Sequence, residues 1–573
     1  MQQKTNTWLY DTVLITALCT IAYLLFLGTR ALGVPDEARY SEIALEMLNT
    51  HQFIVPHLDG IKYFEKPPLF FWLQSGAIHL FQSQSTFILR LPNMLMAILG
   101  ILFTYIGGRW LFDRSTGILS SLILSSSLFY FAMAHTVSLD MSLSTLLNGS
   151  LICFLAGTQV SGARRRNLIW IAFTLSALAV LTKGLIGIFF PIMIVGIWIA
   201  LQCKWKELKQ WHLFSGLLLW LLIAAPWHVF VQRQEPEFFH FYFVSRQFLR
   251  FSSNLIHYRE AWWYFLPVAF AGFIPWICFL PQALHWHFTR INAQSRSTAL
   301  FLFIWASTIL LVFSFSHSKL LPYILPMFMP LAILCGNYLS QTLKQKRKRG
   351  LIIGFCALTI LSIVIAIGFV LFKQHIVTNQ PFLFILIVSA SLVIWLLGTI
   401  NSTIQYIRSE LFSAMPSYRR LLPARAAHLV PFATLMVTTL IACIGILFST
   451  QLILTDTTKP IATILNKRMI PGDRIVSYSA YHQDLPLYTG KKIMILSWRN
   501  ELDFGANYTK NADKTLINAD QFRALLNDTK TTYIVVSKKR YPRLIQQYPN
   551  IHFKRIGKSA HNYLLIKQKE GTE

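Results

Sequence analysis

The chain has 573 residues, 54% of them hydrophobic and 13% charged, with a mean hydropathy of +0.48 and a formal net charge of +28. So much apolar surface over this length excludes an ordinary soluble protein and points to repeated passage through a bilayer. The basic residues flank the apolar runs, so they read as cytoplasmic loops and affinity for anionic lipid, not as nucleic-acid binding.

The first apolar run, Thr12 to Gly28, lacks a small-residue cleavage site after it and reads as a span, not a signal peptide. Hydropathy predicts about 13 spans. They fall near 11–28, 91–112, 116–135, 141–159, 168–182, 185–202, 213–231, 262–283, 299–316, 320–340, 350–372, 381–400 and 429–450. Arg164–Arg166, Lys204, Lys206, Lys209, Arg290, Arg296, Lys344–Arg349 and Arg408–Arg425 then fall on one side, which the positive-inside rule makes cytoplasmic. Asp36, Glu65, Lys66, Asp140, Lys183, His257 and Lys319 fall on the other. The seven Cys are scattered with no CxxC, which predicts neither a disulfide framework nor a Cys-based metal site.

Residues 30–90 form the first external loop, too long for a plain turn. Six of the 14 Asp and Glu in the first 450 residues lie there: Asp36, Glu37, Glu42, Glu46, Asp59 and Glu65. Carboxylates are costly in hydrocarbon, so this concentration marks a watered site at the membrane border. Tyr40, Ile43, Ala44, Met47 and Leu48 share one helical face, with Glu42, Glu46 and Asn49 elsewhere. Residues 37–49 and 69–81 therefore read as helices lying in the interface.

Asp36 follows Pro35 at the start of that helix. It reads either as an N-cap or as a catalytic carboxylate. In Glu65-Lys66-Pro67-Pro68 the two prolines delay the next helix and hold Glu65 and Lys66 on a rigid loop. Lys66 then suits a lipid phosphate, or else snorkels. Asp140, Lys183, Lys319 and Tyr323 each have a bland reading as helix caps or interfacial anchors. Taken together they outline a pocket for a phosphate-bearing lipid. Arg246, Arg250, His257 and Arg259, in the loop 232–261, could add cationic donors.

From residue 451 the composition changes. Residues 451–573 carry 20 Lys plus Arg and 10 Asp plus Glu. Val/Ile-rich runs at Arg474–Ser479, Lys491–Trp498 and Thr532–Ser537 alternate with helical stretches at Lys459–Met469 and Asp520–Asn527. The expected fold is a polytopic α-helical membrane domain over 1–450, with a soluble external α/β domain over 451–573.

The segments VPDEARYSEIALEM, YFEKPPLFFW, LRLPN, HTVSLDMSL, LTKG, QFLRF…HYREAWWYFLP and SKLLPYILP occur in that order. Through them the whole chain resembles the polyprenyl-phosphate-dependent GT-C glycosyltransferases, above all the bacterial aminoarabinose transferase (ArnT-like) family. YFEKPP with an upstream DE is specific to that group, whereas LTKG alone is weak. The resemblance implies Asp36 as the key carboxylate and Asp140 as a second acidic position. It implies donor-phosphate contacts at Lys66 and Tyr323, and a divalent metal at Glu65 and His257. The 232–261 loop departs from the family pattern, with Ser245-Arg246 where an acidic residue and a His are expected, which bears on the acceptor.

The function so implied is inverting transfer of 4-amino-4-deoxy-L-arabinose from undecaprenyl phosphate to lipid A, on the periplasmic face of the bacterial inner membrane. Lys183, Arg250 and Lys319 join Lys66 and Tyr323 as candidate donor-phosphate contacts. Transfer to protein Ser/Thr, as in protein mannosyltransferases, or transfer of another sugar to a lipid, is the alternative enzyme reading. A flippase is a third. It would need ionisable or broken-helix features near midplane in matched halves, and no internal repeat is evident.

Overall fold

The computed structural model describes residues 2–243, 260–289, 293–345, 349–375, 378, 380–412, 430–453 and 456–567. Among these, ten helices are long and apolar enough to cross a membrane, or up to 12 if each of two bent pairs is one span. Each of the thirteen expected segments is found as helix, but not each as a straight span. Segment 116–135 is the pair Arg114–Ser125 and Leu128–Ala134, bent by 67°, and segment 262–283 is the pair Phe265–Gly272 and Trp276–Thr289, bent by 97°. Segment 185–202 is a helix of 17 residues, Ile186–Gln202, with Pro191 inside it. Hydropathy sums over such a segment and is blind to a bend within it.

In chain order the first ten helices are α1 (Gln2–Leu24), α2 (Asp36–Thr50), α3 (Leu69–Phe81), α4 (Thr86–Leu111), α5 (Arg114–Ser125), α6 (Leu128–Ala134), α7 (Leu139–Thr158), α8 (Gly162–Lys183), α9 (Ile186–Gln202) and α10 (Leu213–Gln234). Side-chain caps set several starts. Ser85, Asp113 and Ser138 accept the backbone N–H groups of Ile88, Thr116 and Asp140. Helix α7 is the buried pillar of the bundle, with Leu139 to Ile152 closed to solvent throughout. Small residues let the helices approach. A Cβ on Gly117 of α5 would stand 2.6 Å from the Tyr105 carbonyl oxygen of α4.

The two ends of the bundle carry different chemistry. At one end Lys344 reaches Asp113 at 2.7 Å, Arg165 reaches Gln210 at 2.8 Å and Gln159 meets Thr298 at 3.3 Å. There too Asp11 is held by Arg109 at 2.8 Å and by Arg114 at 2.6 Å. At the other end lie α2, α3 and the C-terminal domain. The expected separation of the basic loops from the site loops therefore holds in the bundle.

The C-terminal domain is a six-stranded sheet. The first loop contributes a separate hairpin, β1 (His57–Leu58) with β2 (Ile61–Lys62). The sheet strands are β3 (Arg474–Tyr478), β4 (Met494–Leu496), β5 (Leu516–Ile517), β6 (Thr532–Ser537), β7 (Phe553–Lys558) and β8 (Asn562–Lys567), in the order β5-β4-β3-β6-β8-β7. Strands β5, β4, β3 and β6 are parallel, and β8 and β7 add an antiparallel edge. The expected strands at 474–479, 491–498 and 532–537 are β3, β4 and β6. Strand β7 is too polar and exposed to read as strand from pattern alone, whereas β8, with Leu564 and Leu565 buried, was missed despite its apolar run. In β7 the apolar residues Phe553 and Ile556 are interrupted by Lys554, Arg555 and Gly557, and a bulge falls between Arg555 and Gly557.

The domain docks on the first loop through a shared apolar core that joins Leu32, Ala38, Leu45 and Leu58 to Ile461, Leu485, Ile495 and Leu502. Polar contacts fix the register. Asp59 accepts the Ile493 N–H at 3.2 Å, Thr509 accepts the Lys62 N–H at 3.0 Å, and Tyr488 accepts the Leu32 N–H at 3.2 Å. Gly505 lies against the Lys62 carbonyl, where any Cβ would overlap the oxygen. This changes the reading of α2 as an amphipathic helix with a wet polar face. Glu42 and Glu46 are 8% and 6% exposed, because the C-terminal domain covers the face they occupy.

Candidate active site

Asp36 sits in the first turn of α2 and its side chain is 52% exposed. It is not a cap: the N-cap position is Pro35, and no side-chain cap bond forms. Its carboxylate is paired with Arg39, one turn on, whose side chain is 11% exposed and which also pairs with Glu501 of the C-terminal domain. Arg39 lies over the Tyr40 ring at 5.2 Å.

The neighbouring Glu37 faces inward and does a different job. It accepts from Arg90 Nε at 3.0 Å, from Arg30 at 2.7 Å, and from the N–H groups of Gly33 at 2.6 Å and Val137 at 2.8 Å. Burial favours the protonated acid, but Arg90 and Arg30 outweigh it and hold Glu37 below its usual range. Arg90, 1% exposed, also donates to the carbonyls of Leu27, Arg30 and Ala31. This node fixes the entry to α2, and through Val137 the entry to α7, so it places Asp36 and Asp140 relative to each other.

Asp140 is buried in the first turn of α7, where the Ser138 hydroxyl donates to it at 3.1 Å. Lys183, the last residue of α8, forms an ion pair with Asp140 and lies 4.4 Å from the centre of the Tyr323 ring. Three of the sequence-predicted residues, from three separate connections, thus meet in one place. Tyr40 joins this group to the first: it is fully buried, and the carboxylates of both Asp36 and Asp140 help raise its hydroxyl pKa, after burial itself.

Glu65 and Lys66 occupy the bend before α3, half-buried, with Pro67 and Pro68 closed beneath them. Glu65 acts electrostatically on Tyr63 and Glu501, which places it in the Arg39 group. The Tyr63 hydroxyl is buried there with no hydrogen-bond partner of its own. Lys319 is engaged elsewhere. Its ammonium donates to the carbonyls of Ser316 at 2.7 Å and Glu260 at 3.2 Å, fastening the loop that leads to Tyr323. Arg246, Arg250, His257 and Arg259 lie outside the described residues.

The remaining carboxylates of the first loop are not part of this group. Glu46 accepts from Gly60 N–H at 2.8 Å and faces Lys492 at 3.6 Å, while Asp59 binds Ile493. The acidic cluster therefore divides, with Asp36 and Glu65 at the site, Glu37 in the arginine node, and Glu42, Glu46 and Asp59 under the docked domain. Arg39, Arg90, Tyr63 and Glu501 carry this architecture and were not singled out from sequence. Arg39 had a local signal in its three-residue spacing from Asp36. Glu501, more than 400 residues away, had none.

Of the two residues expected to hold a metal, Glu65 is described and His257 lies outside the described residues. No group of three His, Cys, Asp or Glu among them could hold an ion, and the carboxylate beside Glu65, that of Glu501, is already bonded to Arg39. No step below is routed through a metal. Close to Tyr323, a wholly apolar cleft of about 370 Å³ opens between α6 and the helix Phe265–Gly272, lined by Leu128, Phe129, Pro267, Val268 and Leu321.

A bundle with a carboxylate-rich first loop at one end and an α/β domain docked over it defines the class of GT-C membrane glycosyltransferases. The solved structure of ArnT from Cupriavidus metallidurans bound to undecaprenyl phosphate shares the fold, with a TM-score of 0.83 over 97% of both chains at 24% identity. The archaeal oligosaccharyltransferase AglB from Archaeoglobus fulgidus is a more distant likeness, with a TM-score of 0.53 over 93% of this chain and 70% of that one at 13% identity. The dolichyl-phosphate-mannose-protein mannosyltransferase family profile matches residues 12–242, and the aminoarabinose transferase C-terminal domain matches residues 461–566.

Among curated relatives, the undecaprenyl phosphate-alpha-4-amino-4-deoxy-L-arabinose arabinosyl transferase of Enterobacter sp. (strain 638) is 31% identical over 68% of this chain and 70% of its own. The protein of the same name from Erwinia tasmaniensis is 33% identical over 57% of this chain, and the match spans 59% of that relative's length. The chain belongs to the family of undecaprenyl phosphate-aminoarabinose arabinosyl transferases.

Proposed function

We propose that the protein transfers 4-amino-4-deoxy-L-arabinose from undecaprenyl phosphate to lipid A, at the periplasmic face of the inner membrane. The observation that carries this reading is the placement of Asp36. It is an ionisable group held by a buried guanidinium yet half open, at the bundle end where Asp140, Lys183 and Tyr323 converge.

The reaction is a displacement at the anomeric carbon. An acceptor oxygen forms the new bond, the bond to the lipid phosphate breaks, and undecaprenyl phosphate leaves with the electron pair. A hydroxyl acceptor needs a general base, and Asp36, a half-open carboxylate paired with Arg39, meets that need. A phosphate acceptor is already anionic, and Asp36 then orients it or balances the developing oxocarbenium charge. Lys66, on its proline-braced bend, is assigned to the donor phosphate. Lys183 has its charge shared with Asp140, so its part is to anchor Asp140 and Tyr323. The apolar cleft beside Tyr323 suits an isoprenoid chain, which no polar group would then oppose.

The test is the mass of lipid A from cells with and without the gene. A shift of one aminopentose is expected, absent in the deletion strain and in Asp36→Asn at matched expression. Loss of a base of this kind costs about 100- to 10,000-fold in rate. Wild-type turnover by Asp36→Asn would return Asp36 to a structural role. Unchanged lipid A alongside under-glycosylated surface proteins would favour the protein-mannosyltransferase-like reading.

A further inference from the structure

In open α/β sheets the carboxyl edge of the parallel strands is where ligands and functional loops gather. Here that edge is turned onto the membrane domain. The loop after β3 carries Gln483 and the loop after β4 carries Glu501, and Gln483 donates to Glu501 at 3.2 Å. The Glu501 side chain is 16% exposed and ends on Arg39 Nη1, while Arg39 Nη2 ends on Asp36 Oδ1. A guanidinium is a planar fork that can take one carboxylate with both prongs or two carboxylates with one each. Held by Glu501, it takes Asp36 through one oxygen, Oδ1, and the Asp36 side chain stays 52% exposed.

We propose that Glu501 is a positioning residue for sugar transfer: by occupying one prong of Arg39 it keeps the Asp36 carboxylate oriented and only half engaged, so that the C-terminal domain completes the active site. Without that hold, Arg39 closes on both oxygens of Asp36 and withdraws it from the reacting atoms. The inference rests on Asp36 being the reacting carboxylate.

The experiment uses the full chain in lipid nanodiscs with an undecaprenyl-phosphate sugar donor and lipid A. Wild type, Glu501→Gln, Glu501→Asp, Asp59→Ala and Asp36→Asn are compared for kcat, donor KM and protease sensitivity of the C-terminal domain. Glu501→Gln keeps the shape of the side chain and removes its charge. It is expected to lower kcat by about tenfold or more with donor KM within about twofold, the signature of a loss felt in the transition state. Glu501→Asp should recover part of that loss. Asp59→Ala, which removes the acceptor for the Ile493 N–H on the same docking surface away from Arg39, should raise protease sensitivity with a smaller effect on kcat. Arg39→Lys serves if Glu501→Gln does not accumulate: an ammonium lacks the rigid fork that holds the two carboxylates in fixed directions, and the same fall in kcat is expected. Wild-type kcat in Glu501→Gln beside an inactive Asp36→Asn would overturn this inference alone, and an active Asp36→Asn would overturn the reading beneath it. Equal kcat losses in Glu501→Gln and Asp59→Ala, with equal gains in protease sensitivity, would reduce Glu501 to a docking contact.

Discussion

Lys183 has its charge met within the fold, whereas Lys66 is proposed to meet the donor phosphate. Lys183 is buried against a carboxylate and an aromatic face, so its charge is compensated within the fold. Removing either member of such a pair leaves a charge uncompensated, at a cost of about 3–5 kcal/mol. Lys183→Met and Asp140→Asn should therefore each lower thermal stability more than the double variant does. Thermal melts of the three variants in detergent check this, and additive losses would deny the coupling. Lys66 is half-buried on the bend before α3. A charge-assisted contact to donor phosphate is worth about 1.5–3 kcal/mol, or roughly 10- to 150-fold in binding. Lys66→Ala should raise donor KM by about that factor and Lys66→Arg by less, since it keeps the charge. Donor saturation curves that coincide with wild type would remove Lys66 from the donor site.

At the scale of elements, α2 is the hinge between two bodies. One face carries Asp36 and Arg39, another is locked by Arg90, and a third lies under the C-terminal domain with Glu42 and Glu46. Burial raises the pKa of Glu42 and of Asp59 well above the usual carboxylate range, and their neighbouring carboxylates add to it. The docked state then holds protons that the undocked state releases, so docking weakens as pH rises from the normal carboxylate range toward the raised values. His57, whose pKa burial lowers, opposes this only below about pH 6.5, where the free imidazole titrates. Protease sensitivity of the C-terminal domain should increase from about pH 6.5 to 8, and Glu42→Gln should flatten the dependence. A wild-type profile that is flat or falls over that range would contradict it.

For the whole molecule, the separation of charge between the two ends predicts an orientation by the positive-inside rule. Basic side chains such as Arg165, Lys344 and Arg349 gather at one end, and the site and the C-terminal domain lie at the other. A reporter fused after residue 450 is expected to report the periplasm, and one fused near Lys348 the cytoplasm. Both on one side would break the proposed topology.

Membrane class, helix positions, the separate α/β domain and five of the convergent site residues (Asp36, Glu65, Asp140, Lys183 and Tyr323) were legible in the amino-acid sequence. The reason is physical: apolar run length is dictated by bilayer thickness, and a carboxylate or ammonium beside such a run is rare enough to stand out. The site's wiring was not legible. That Asp140 pairs with Lys183, that Glu37 belongs to an arginine node, and that Glu501 reaches Arg39 are decided by which surfaces the folded chain brings together. So is the fate of Glu42 and Asp59, which sequence placed in one acidic cluster with Asp36 and Glu65 and which the docked domain buries. Local pattern reports what a residue can do, whereas its partners across hundreds of residues determine which of those things it does.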